Sequence, residues 1–364
     1  MRLFIALGLL TYLVSPGAKA WMGFKIVDSE YSMEKDSEVP KNPISMPALR
    51  SQDTVGICYA FTAAALFDQA NCVARKIANC AEMPEKDRVS PLDLSRFGKT
   101  LPEDQDRTDR FNYEGLNISG SNAALTLQNA IGSGGIARET CAPFDQFTSS
   151  VSDLKEAQKI ESEIWNKFTK AYNEYVKIKK KSGQRAADLF AAEKSKELVE
   201  NCGIKTPQEE MLKAFSEDTY ERFLDKALVP DKCWDFKEQL SLKGDWKLNI
   251  FPSVGKKSNY KETSEKIKDI LSTGQPVVFD FCAQEPLTAK KIEQCKGYGH
   301  SVVVTAFSKA CNSKGKCVDR VRVQNPWGAG WQKNYTDDGW VDAKVLLDRS
   351  FYENQTLTWL SEKK

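Results

Sequence analysis

The stretch Ser51-Gln52-Asp53-Thr54-Val55-Gly56-Ile57-Cys58-Tyr59-Ala60-Phe61 sets a side-chain amide six residues ahead of a cysteine. The residues that follow, Tyr59-Ala60-Phe61-Thr62-Ala63-Ala64-Ala65-Leu66-Phe67-Asp68, are rich in alanine and hold no glycine or proline. They predict a helix that Cys58 opens. A thiol at a helix N-terminus lies at the positive end of the macrodipole, which favours the thiolate and makes the sulfur nucleophilic. The competing reading is a small buried hydrophobe that happens to begin a helix, the usual state of a free cysteine. The far end of the chain decides between them.

There, His300 is the single histidine of 364 residues. It follows Gly297-Tyr298-Gly299 and opens the apolar run Ser301-Val302-Val303-Val304-Thr305-Ala306-Phe307. A lone histidine is ordinarily a satisfied core or surface residue. Here the flanking glycines permit close backbone approach at a strand entrance. Gln324-Asn325-Pro326-Trp327-Gly328-Ala329-Gly330-Trp331 comes next. Asn325 is either turn chemistry or the third group that orients an imidazole beneath an aromatic roof.

Gln52 ahead of Cys58, then His300, then Asn325 resembles the papain-like cysteine proteases. The matching segments are Gly56-Ile57-Cys58-Tyr59-Ala60-Phe61, Gly299-His300-Ser301-Val302-Val303 and Asn325-Pro326-Trp327-Gly328-Ala329-Gly330-Trp331. Ser90-Pro91-Leu92-Asp93-Leu94, the turn from Gly115 to Gly120, and Gly339-Trp340-Val341 are weaker echoes. The resemblance covers residues 51–147 and 246–350. It implies an α+β fold in two parts, a helical half and a β-barrel-like half, with the active-site cleft between them. It assigns Cys58 as nucleophile, His300 as its acid–base partner and Asn325 as the group that orients the imidazole. Gln52 and the Cys58 N–H would be oxyanion donors. Ser119, Gly120 and Gly299 are expected to line the substrate, with Trp327 covering the His300–Asn325 contact. Protein or peptide substrates follow, with no cofactor.

Three departures from the family pattern stand out. Val55 and Leu116 occupy two positions that usually carry a disulfide bracing the active-site loop. Pro326 follows Asn325 where serine is commoner. No inhibitory prosegment is recognisable ahead of Gln52. The same four site residues would serve acyl transfer to an amine as well as hydrolysis. A catalytically silent relative that only binds is the reading from another class.

Lysine plus arginine (52) nearly balance aspartate plus glutamate (50), so no global field points to nucleic acid. Residues 1–20 read as a cleaved signal peptide: Arg2, an apolar core from Leu3 to Val14, then Ala18-Lys19-Ala20. That core is too short for a transmembrane segment, and export to the periplasm or the cell exterior is expected. In an oxidising compartment most of the ten cysteines pair. Local spacing suggests Cys72–Cys80, Cys202–Cys233, Cys282–Cys295 and Cys311–Cys317, leaving Cys58 and Cys141. One histidine and no repeated C-x-x-C argue against a metal site.

Residues 21–50 are expected to lie as an arm against the body, 51–149 to form the helical half and 246–364 the β half. Between them, 150–245 is a charged helical insertion. An apolar stripe at Ile160, Ile164, Phe168, Ala171, Tyr175 and Ile178 predicts a long helix. A second helix follows from Arg185 to Glu200, and a third from Thr206 to Leu228, with Thr206 as cap. The outer charge is a solvated face or a docking surface for a partner. The insertion is expected to be removable with the cleft still folded.

Overall fold

The computed structural model describes residues 20–21, 24–34, 37–52, 55–102, 104–109, 112–147, 154–283, 298–353 and 355–363. The expected signal peptide, apart from Ala20, and Cys295 lie outside the described residues.

The alanine-rich run forms α1 (Cys58–Ala74), which continues beyond Asp68 because Gln69, Ala70, Asn71 and Cys72 stay buried and helical. Against it pack α2 (Pro91–Ser95) and α3 (Ala123–Ser133). Ser90 caps α2, its hydroxyl accepting the Asp93 N–H at 3.2 Å, with proline at the first position. The Asn122 side chain accepts the Leu125 N–H at 2.8 Å to start α3, and left-handed Gly134 ends it.

The insertion opens with α4 (Leu154–Ser182) and α5 (Gln184–Cys202), a hairpin turning at Gly183. Ile164, Phe168, Ala171 and Tyr175 form its buried stripe. The single helix expected from Thr206 to Leu228 is instead two, α6 (Gln208–Ala214) and α7 (Tyr220–Leu228). The chain turns at Ser216 and Glu217, and Thr219 starts a new helix by accepting the Arg222 N–H at 3.2 Å. Thr206 is not the cap: Pro207 occupies that position in α6, without a side-chain bond.

Four features fasten the block to the helical half. Cys141 is bonded to Cys233, so the expected Cys202–Cys233 pair does not form; Cys202 is a free buried thiol at the end of α5. Residue 233 lies where the block returns to the body, and there it meets Cys141. Strand β4 (Ile136–Ala137) pairs with β5 (Gln239–Leu240). The fully buried Arg96 guanidinium holds Asp93 and, from α7, Asp225, each at 2.6 Å, and lies 3.9 Å over the Trp234 ring. Gly115, at φ +95°, runs so close to Glu221 that a Cβ would stand 2.4 Å from that backbone. One apolar cluster spans α1, α4 and α7. The block is thus bonded and packed to the helical half at several points.

The β half is a seven-stranded sheet. Near the N-terminus β1 (Ala20–Trp21) and β2 (Phe24–Lys25) form a hairpin, and β3 (Tyr31–Met33) joins the sheet. The other strands are β6 (Trp246–Phe251), β7 (Val277–Ala283), β8 (Tyr298–Asn312), β9 (Cys317–Gln324), β10 (Trp340–Asp342) and β11 (Leu357–Glu362). They run β10-β9-β8-β7-β11-β6, all pairs antiparallel, with β3 on β8. Helices α8 (Tyr260–Ser272), α9 (Gly328–Tyr335) and α10 (Ala343–Leu347) complete this half. Cys311–Cys317 staples the β8–β9 turn, Cys72–Cys80 closes its local loop, and Cys282 is also disulfide-bonded. The N-terminal segment lies along β8, through β3 and the Val39–Phe307 bridge. The N-terminus of α1 packs on β7 and β8, which joins the two halves at the site.

Candidate active site

Ile57 precedes α1 with no capping side chain, so the first amides of the helix are left for the Cys58 sulfur. That sulfur meets its own N–H, that of Tyr59 and, across the interface, that of Ser301 in β8. Ser301 follows His300 in β8, so the start of α1 meets this strand one residue from the imidazole. Burial nonetheless pushes the Cys58 thiol up to about 12, and the charge of nearby Asp280 adds to the rise. Desolvation in this closed, dry arrangement works against the helix terminus and the three amides, which favour the thiolate.

His300 is buried, and its Nε2 lies 2.9 Å from Asn325 Oδ1. Since Oδ1 only accepts, Nε2 carries the proton and Nδ1 is the bare base of the neutral ring. Burial pushes the imidazole down to about 4, partly offset by the Asn325 bond. Asn325 Oδ1 also accepts the Trp327 N–H at 3.2 Å, so one oxygen orients both the ring and its cover. The Trp327 indole stacks on the imidazole, centroids 4.1 Å apart and planes 14° from parallel.

Gln52 is strapped to the same segment. Its N–H donates to the Pro326 carbonyl at 2.6 Å, and Ser51 bridges Trp327. The side-chain Nε2 donates one hydrogen to the Val55 carbonyl at 2.8 Å. An amide nitrogen has two, so this bond orients the group and leaves the second hydrogen for a ligand. In place of the usual disulfide, Val55 and Leu116 are both buried in the helical core. A Cβ on Gly56 would stand 2.9 Å from the Ile118 carbonyl, so the active-site loop rests directly on the cleft turn. On that turn Ser119 and Gly120 are exposed, held by Asn117, whose Oδ1 accepts the Ser119 N–H at 3.1 Å and whose Nδ2 donates to the Gly120 carbonyl at 3.0 Å. Gly299 is exposed opposite Cys282.

Two residues at this site escape the sequence reading. Phe24, 1% exposed, is wedged edge-on into Phe281, Trp327 and Trp331 at 5.4, 5.9 and 4.6 Å, behind the indole that covers His300. Asp280 pairs with Ser301 across the sheet, and the Ser301 hydroxyl donates to its Oδ1. Its only signal in the sequence is that it is charged within the apolar run Val277-Val278-Phe279-Asp280-Phe281.

Among the described residues no helix is long and apolar enough to cross a membrane, and no cluster of three or more His, Cys, Asp or Glu is placed to hold a metal ion. No family model matches the sequence, and no curated protein matches it. Among solved structures the chain is similar to the SERA5 proenzyme of Plasmodium falciparum, at 12% identity over 92% of this chain and 67% of that one, TM-score 0.42. It is similar to digestive procathepsin L 3 of the Tenebrio molitor larval midgut, at 11% identity over 92% and 72%, TM-score 0.43. It is also similar to bromelain from Ananas comosus in complex with the E64 inhibitor, at 10% identity over 88% and 95%, TM-score 0.39.

Proposed function

We propose that this chain is an exported papain-like cysteine endopeptidase that hydrolyses peptide bonds through a thioacyl-enzyme. The observation that carries the reading is the His300–Asn325 pair under Trp327, with the Cys58 sulfur at the N-terminus of α1 against the next residue of the same strand. The Cys58 proton passes to Nδ1 of His300 as the sulfur attacks the substrate carbonyl carbon, and the imidazolium then protonates the departing amine. The developing oxyanion takes the second hydrogen of Gln52 Nε2 and the Cys58 N–H. Water, deprotonated by His300, attacks the thioester and releases the acid, restoring the thiol. Asn325 holds the imidazole through Nε2 in every step, and Trp327 keeps water from that bond. Disulfides in the fold and the leader-like residues 1–20 support export.

The test uses a thiol-directed peptidyl inhibitor and a protein substrate. Cys58 is expected to be labelled faster than Cys202, and Cys58→Ala to leave the substrate whole. Equal labelling of the two thiols, with Cys58→Ala cleaving like wild type, would overturn the reading. Amine incorporation without hydrolysis would make the enzyme a transferase.

A further inference from the structure

We infer that Asp280 selects a basic side chain of the substrate beside the bond to be cut, because it places beside the nucleophile a carboxylate that has no ion pair among the described residues. This deepens the peptidase reading and rests on it.

The placement follows from strand geometry. In β7 and β8 Phe281 faces His300 and Asp280 faces Ser301, and successive residues of a strand point to opposite faces. Phe281 meets the imidazole edge-on at 5.6 Å, within the aromatic cluster. Asp280 and Ser301 therefore share the other face. Cys58 lies against Ser301, close enough to Asp280 for the carboxylate charge to oppose the thiolate. Asp280 is half-buried. Among the described residues its side chain accepts from the Ser301 hydroxyl and is ion-paired with no lysine or arginine.

Such a group is an odd choice for mere structure. A carboxylate without a cation is poorly stabilised at a half-dry position, and it works against formation of the nucleophile. A substrate ammonium or guanidinium resolves both problems. It completes the carboxylate's coordination and cancels the negative potential at Cys58. Binding a basic residue would therefore raise the thiolate fraction as well as occupancy, so selectivity should show in kcat as well as KM. Asp280 would be a specificity-determining residue that acts on the nucleophile through its charge.

The experiment compares peptide pairs that carry arginine or its uncharged isostere citrulline at each position around the cleaved bond, with wild type and Asp280→Asn. At one position wild type should prefer arginine by about 10-fold or more in kcat/KM. In Asp280→Asn that ratio should fall toward one, and the pH midpoint for Cys58 alkylation by iodoacetamide should move down. The arginine–citrulline comparison needs only wild type, so a variant that fails to fold does not remove the test. Equal wild-type rates on arginine and citrulline at every position would overturn this inference alone. Failure to cleave any peptide, with Cys58 alkylated no faster than Cys202, would bring down the peptidase reading and this inference with it.

Discussion

Two aspartates, one fully buried and one half-buried, are treated differently. Asp68, on α1 in the helical half, accepts from Arg50 at 3.1 Å, Arg88 at 3.3 Å and the Val89 N–H at 2.9 Å. Asp280, on β7, has a serine hydroxyl and no ion pair among the described residues. The pattern extends beyond the pair. Other buried charges of the helical half are likewise matched by charge: Arg96 with Asp93 and Asp225, Arg50 with Glu139. Around Cys58 the polar groups keep spare capacity. Gln52 Oε1 and Asn325 Nδ2 find no hydrogen-bond partner among the described residues. Satisfied networks hold a shape, whereas unsatisfied groups at a cleft are the ones a substrate can complete.

If the helical half is held by matched charge, Arg96→Met should be the most damaging change outside the site. It strands Asp93 and Asp225 without their cation and loosens α7, for about 3–5 kcal/mol in denaturant unfolding. Deleting 150–245, which also removes Cys233, should unfold the helical half rather than trim it; a folded deletion would show that the block is merely attached. On the other side of the comparison, Phe24→Ala should cost about 3 kcal/mol of stability by opening a cavity under Trp327. It should also lower kcat more than it raises KM, because the imidazole cover moves; Phe24→Leu should restore much of both. Gln52→Ala should reduce kcat by about 10²–10³, roughly 3 kcal/mol in the barrier, with unfolding midpoints barely changed. A large stability loss there would make Gln52 a loop brace and not an oxyanion donor.

The smallest effect is in pH dependence. Burial raises Asp280 to about 7, from an ordinary value near 3.9. A raised acid favours the fold while protonated, and that contribution is lost as pH climbs from about 4 through about 7. Asp280→Asn should therefore gain on wild type between pH 4 and pH 8, by on the order of 1–2 kcal/mol once partial exposure is allowed for. Glu139, which burial also raises to about 7, titrates in both proteins and cancels in the difference. His300 runs the other way, since its lowered value makes stability rise with pH between about 4 and 6.5, and it cancels as well.

Much of this arrangement is legible in the sequence because its signals are local or rare. A lone histidine at a strand mouth, Asn-Pro-Trp-Gly, and a thiol opening an alanine-rich helix each stand out within a few residues. Capping chemistry gives the starts of α2 and α3 in the same way. What escapes depends on distant partners. Phe24 belongs to a two-residue strand whose burial comes from the aromatic cluster and from α10 and β10, some three hundred positions away. Asp280 looks like one polar residue in a core strand until the β7–β8 register sets it opposite Ser301. The Cys141–Cys233 bridge depends on where the insertion rejoins the body, which local spacing does not reveal. The break between α6 and α7 is legible in principle, since Ser216-Glu217-Asp218-Thr219 carries a cap inside the helical pattern.

The most direct test of the account is the rate of Cys58 alkylation against pH in wild type and His300→Ala, read residue by residue with Cys202 as internal control. The account predicts that Cys58 in wild type reacts faster than Cys202 at neutral pH, that this advantage vanishes in His300→Ala, and that cleavage of a protein substrate vanishes with it. A Cys58 whose reactivity is the same with and without His300, alongside undiminished cleavage, would contradict it.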